Sequence, residues 1–163
     1  MGENIMDDMI YKNTEMLLKR YRDVVWSIEV SKLHLNTNNN TKLDEFLELS
    51  YAAGADLTNT NIAEHEKTIE KNKQMLNLIN KGLDLIRIKQ KYGEEYYKII
   101  YYTYITEENL NGCNDILDKL EEDGCYISEK SYYRKKKQAI ELLGGILFGC
   151  SKYVIKDVFE LLK

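Results

Sequence analysis

Positions 62, 69, 76 and 83 are Ile, Ile, Leu and Leu, each seven residues from the last, and Ile79 and Ile86 follow Leu76 and Leu83 by three. Such a period confines the segment to an α-helix, because side chains on a strand change face at every residue. The predicted helix runs from Ile62 to Tyr92. Its early fourth positions are polar, His65 and Asn72. A polar residue in a coiled-coil seam fixes register or partner number at some cost in stability, and a less buried helix end accounts for the same pattern. His65, between two glutamates, reads as a solvated side chain. Met75, Leu78, Leu85 and Ile88 add a second stripe, which places the C-terminal half of the helix in a core. Ahead of it, Leu17, Tyr21, Val24 and Ile28 step by four, three and four, with Leu35 one heptad on. They predict a helix from Asn13 or Thr14 to Leu35, whose buried face Val25 and Trp26 widen. This helix reads as a coiled-coil strand or as an amphipathic member of a bundle. No proline occurs anywhere to break either segment.

The remaining segments continue the helical theme. Residues 1–12 read as a loose lead-in. Residues 36–41 (NTNNNT) are a polar breaker. Thr41 can cap a short helix with Phe46, Leu47, Leu49 and Tyr51 on its apolar face, and residues 52–61 read as a loop. Gly93 is expected to end the long helix as a left-handed C′ residue. Residues 94–105 (EEYYKIIYYTYI) form a compact helix with Tyr96, Ile99, Ile100 and Tyr104 turned inward. Ile116, Leu117 and Leu120 mark the next helix, which stops near Gly124. Gly144 and Gly145 weaken the end of the helix that follows, and Ser151 can cap a last amphipathic helix. The fold class expected is therefore all-α: a helical bundle with long heptad-patterned N-terminal helices in residues 1–92, then residues 93–163 as a separate region of shorter helices.

Composition narrows the functional classes. Hydrophobic residues make up 44% and charged ones 31%, as in an ordinary soluble globular protein. The net charge of −4 argues against non-specific polyanion binding by the whole molecule, so any basic surface must act locally. The acidic first ten residues do not resemble a secretory signal, and the longest apolar run, 139–149, is too short to span a membrane and carries Glu141. Three cysteines (Cys113, Cys125, Cys150) and two histidines (His34, His65) lack the close pairing of a structural zinc site. A reducing cytoplasm and no cofactor are expected. No phosphate-binding glycine loop, HExxH helix or nucleophile–base pair is present, so the chain is not expected to be an enzyme.

The strongest chemical signal lies in 128–143, SEKSYYRKKKQAIELL. Ser128 is a plausible N-cap. Lys130, Arg134, Lys135, Lys136 and Lys137 follow, interleaved with Tyr132 and Tyr133, while Ala139, Ile140, Leu142 and Leu143 form an apolar back. A helix docked by its back and basic at its front suits phosphates and base edges in a DNA groove. A merely solvated lysine face is the alternative.

The order Tyr96–Ile105, Ile116–Leu120 and 128–143 resembles the helix-turn-helix of sigma-factor region four, and more particularly the phage and prophage regulators of the ArpU and RinA type. The matching positions are Ser128, Tyr133, Arg134, Lys136, Lys137, Ala139 and Ile140, and the likeness covers roughly residues 94–143. It implies a sequence-specific, double-stranded-DNA-binding transcription regulator with a recognition helix at about 129–143 and a possible contact with RNA polymerase. On that resemblance Lys130, Arg134, Lys135 and Lys137 are candidates for phosphate contacts and Ser131, Tyr132 and Arg134 for base contacts, with Tyr133 and Lys136 in the same interface. It also implies a homo-oligomer, with Leu17, Tyr21, Val24, Ile28, Ile69, Leu76, Ile79 and Leu83 as the oligomerising seam. One departure stands out: the turn from Leu120 to Ser128 (LEEDGCYIS) is longer than the family's and adds Glu121, Glu122 and Asp123 beside the expected phosphate path. Two other classes stay open, a DNA-recognition subunit like a phage small terminase and a helical protein-interaction module.

Overall fold

A computed structural model describes residues 2–35 and 62–149. The polar linker at 36–41, the short helix capped by Thr41, the loop at 52–61 and the final helix after Ser151 lie outside the described residues.

The described chain is all-α, with no strand among its residues. Helix α1 spans Gly2–Lys19, α2 Tyr21–Leu35, α3 Ile62–Lys89, α4 Gly93–Ile100, α5 Cys113–Glu122 and α6 Glu129–Phe148. A π-helical turn, Tyr101–Ile105, prolongs α4. Residues 2–12, expected as a lead-in, are helical and belong to α1, and the helix expected from residue 13 to Leu35 is divided at Arg20. The chain forms two compact units, one of residues 1–22 and 77–163 and one of residues 23–76. Packing thus groups α1 with the C-terminal helices, whereas the sequence pattern suggested a division at residue 92.

Within the first unit, α4, its π turn, α5 and α6 pack on one another, and α1 packs on α6 and on the π turn. Leu18, Ile79, Leu83, Ile99, Ile100, Leu120, Ile140 and Leu143 are the largest fully buried apolar side chains. The packing of α1 on α6 explains why α6 passes through Gly144–Gly145 instead of fraying there. A Cβ at Gly144 would stand 2.8 Å from both Ile10 Cγ2 and Thr14 Oγ1 of α1, so the missing side chain is what lets α1 sit close. The helix ends four residues later on Gly149, in the left-handed region at φ +65°.

Gly93 also has a different role from the one expected. It does not adopt positive φ but opens α4, and a Cβ there would meet the Arg87 and Ile86 carbonyl oxygens at 2.3 and 2.4 Å. The corner between α3 and α4 is therefore closed by backbone against backbone. The second stripe of α3 is overturned as core: Met75, Leu78, Leu85 and Ile88 are exposed, Ile88 to 73%. Trp26 is likewise exposed, to 72%, while Val25 beside it is half-buried.

Candidate nucleic-acid interface

The site begins with the turn between α5 and α6. Helix α5 closes in a Schellman motif: Gly124, at φ +79°, donates its N–H to the Glu121 carbonyl at 2.9 Å, and Cys125 N–H reaches the Leu120 carbonyl at 2.8 Å. Leu120 and Cys125 then join Ile99, Ile116 and Tyr132 in one buried cluster, with Tyr102, Leu110, Cys113, Leu117 and Ile127 packed around it. Burial pushes the Cys125 thiol up from its ordinary value. Ser128 has extended backbone and its Oγ accepts from Ser131 N–H at 3.2 Å, which makes it the N-cap of α6. Three helices around a shared core thus fix where the first half of α6 points.

Helical periodicity sorts the eight candidate residues of that half into three groups. Tyr132 faces inward, 2% exposed. The Thr103 hydroxyl spends its proton on the Ile99 carbonyl at 2.5 Å, so the Tyr132 hydroxyl donates to Thr103 Oγ1 at 2.9 Å. Burial raises the Tyr132 pKa. A side chain held this way is a core residue, and its expected role as a base contact is withdrawn.

Lys135 and Lys136 form the second group. Lys135 pairs with Glu95 of α4 and lies 5.0 Å from the centre of the Tyr92 ring, with little of its side chain exposed. Its charge is therefore engaged within the protein. Lys136 is half-buried, its ammonium 5.5 and 5.1 Å from the Tyr132 and Tyr133 rings. Nearby, Gln138 accepts from the Tyr96 hydroxyl at 3.1 Å, a further tie between α6 and α4.

The third group is outward. Lys130, Arg134 and Lys137 are exposed at steps of four and three, hence on one face of α6, and have no ion pair among the described residues. Tyr133 is 48% exposed beside them, and the neighbouring Cys113 thiol raises the pKa of its hydroxyl. Ser131 is half-buried next to the helix start. Tyr126, 76% exposed and two residues ahead of the N-cap, was missed by sequence reasoning. The available signal was its position between Cys125 and Ile127, which pack inward and turn it out.

The acids of the long turn are partly neutralised. Asp123 accepts from the Tyr102 hydroxyl at 2.5 Å, and its carbonyl from Lys98 at 3.2 Å. Lys119 bridges Glu108 and Glu122, both at 3.2 Å. Glu121 remains exposed. Among the described residues, no group of three His, Cys, Asp or Glu side chains is placed to hold a metal ion.

The expected oligomerising seam is largely occupied within the chain. Ile69, Ile79 and Leu83 of α3, with Tyr21 and Ile28 of α2, are buried in the single copy, and Leu17, Val24 and Leu76 are half-buried. Tyr21 also donates to Asn80 Oδ1 at 2.7 Å. No helix among the described residues is long and apolar enough to cross a membrane. Comparison of the chain with protein-family models, with curated proteins and with solved structures finds no match.

Proposed function

We propose that the protein binds double-stranded DNA through the first half of α6, as a sequence-specific regulator of the phage type to which its motif is similar. The observation that carries this reading is the row of Lys130, Arg134 and Lys137. Three exposed cations with no ion pair among the described residues share one helix face, while the opposite face is locked into a three-helix core. Phosphate contacts from such a row supply affinity and orientation, and a side chain near the start of the helix reads base edges. Arg134 can do either, and Tyr126 and Tyr133 border the same face.

The geometry also selects the test. A Lys130→Ala, Arg134→Ala, Lys137→Ala variant leaves every buried contact in place, so it folds like the wild type. Binding to duplex DNA across a salt series is expected to give a linear fall of log affinity with log salt. The triple variant flattens that slope by up to about 2.7, because each phosphate that a cation neutralises contributes about 0.9. Absence of binding by folded wild-type protein at low salt, to mixed-sequence and genomic duplexes alike, would falsify the reading and leave a protein-interaction module in its place.

A further inference from the structure

In helix-turn-helix proteins the helix before the turn commonly crosses the DNA backbone. Helix α5 is badly charged for that role. Asp115, Asp118, Glu121 and Glu122 stand on it against Lys119 alone, and Lys119 is already held between Glu108 and Glu122. A duplex lying along α6 needs its second backbone contact elsewhere.

The corner between α3 and α4 offers one. Lys91 and Lys135 both place their ammonium groups over the Tyr92 ring, at 5.4 and 5.0 Å from its centre, so the corner adjoins α6 directly. Tyr92 meets Tyr96 edge-on at 6.4 Å, and the Tyr96 hydroxyl donates to Gln138 of α6 at 3.1 Å, one helical turn on from Arg134. The corner therefore packs against α6 within the same compact unit, next to the helix that carries the outward cations. Both acids that open α4 are occupied, Glu94 by Arg87 at 2.6 Å and Glu95 by Lys135. Lys89 and Lys91 are left exposed and without an ion pair among the described residues, on a corner whose backbone is closed tightly at Gly93.

We infer that the α3–α4 corner is a second phosphate-contacting element, with Lys89 and Lys91 gripping the DNA backbone beside the recognition helix in place of α5. This inference rests on the DNA-binding reading above. Because its unpaired cations are ammonium groups and the Arg87 guanidinium is held by Glu94, the corner adds affinity and register and no sequence preference.

The test is a Lys89→Ala, Lys91→Ala double variant, titrated with a fluorescein-labelled mixed-sequence duplex across the same salt series. A Lys12→Ala, Lys19→Ala variant serves as the charge-matched control. The expected result is a salt slope shallower than wild type by about 1.8 for the corner variant. The control keeps the wild-type slope, and the relative affinities for different duplex sequences do not change. A corner variant with the wild-type slope, where the α6 triple variant has a flattened one, overturns the corner and leaves the recognition helix standing. Equal flattening by the control overturns it as well, since net charge alone then explains the effect. Failure of the wild type to bind overturns both readings.

Discussion

At Gly144 two opposed effects of one methyl group can be weighed. Glycine inside a helix costs about 1 kcal/mol relative to alanine, so a Gly144→Ala change would stabilise an isolated α6. In the protein the new methyl meets Ile10 and Thr14 at 2.8 Å, and Thr14 cannot swing away without giving up its 2.7 Å bond to the Ile10 carbonyl. Overpacking of this kind costs about 1–3 kcal/mol, so the clash outweighs the helical gain and a net destabilisation of up to about 2 kcal/mol is expected in urea unfolding. Gly93→Ala is expected to be worse, because the obstacles there are carbonyl oxygens and not a side-chain end. An unchanged midpoint for either variant would contradict the packing described. Neither requirement was legible beforehand. A glycine that permits close approach and a glycine that stops a helix are the same letter, and only the neighbour, about 130 residues away for Gly144, distinguishes them.

The turn between α5 and α6 is where sequence and structure agree best. Ser128 as N-cap and Gly124 as helix stop follow from local chemistry, which needs no distant partner. Ser128→Ala is expected to cost about 1 kcal/mol through the missing cap. Gly124→Ala strains a position at φ +79° that has open space around it, so its cost is conformational and also about 1 kcal/mol. If the turn sets the angle of α6, both variants weaken DNA binding while the salt slope stays constant, since no phosphate contact is removed; a changed slope would show that α6 itself had come apart. Less was legible on the long helices. Periodicity identified α3 as a helix and found apolar stripes, but it cannot say which stripe is covered. Ile79, Leu83 and Ile86 are buried, whereas Leu78, Leu85 and Ile88 remain exposed at the same spacing. On α6, the run of lysines likewise concealed that Lys135 turns toward Glu95, since the partner lies on another helix.

Tyrosine dominates the shifted titrations among the described residues. The hydroxyls of Tyr11, Tyr21, Tyr96, Tyr102, Tyr104, Tyr132 and Tyr133 are all raised above their ordinary value, most of them by burial. Tyr102 reaches about 12, first because it donates to the Asp123 carboxylate and then through burial. Raised values mean that the folded state holds protons the unfolded chain has released, so the stability these tyrosines contribute is fully present below about pH 10 and falls as pH climbs from there toward 12. Urea midpoints are expected to be level through neutral pH and to drop across that alkaline window, less steeply in Tyr102→Phe. A flat profile would contradict the buried hydroxyls. The seating of α1 on α6 has a consequence for synthesis. Helix α1 packs against α6, and at about 5–20 residues per second α6 follows α1 out of the ribosome on the order of ten seconds later. The basic helix and its support in α1 therefore come together only after every other described helix has been made, so a nascent chain stalled before α6 holds those helices and none of the proposed α6 grip.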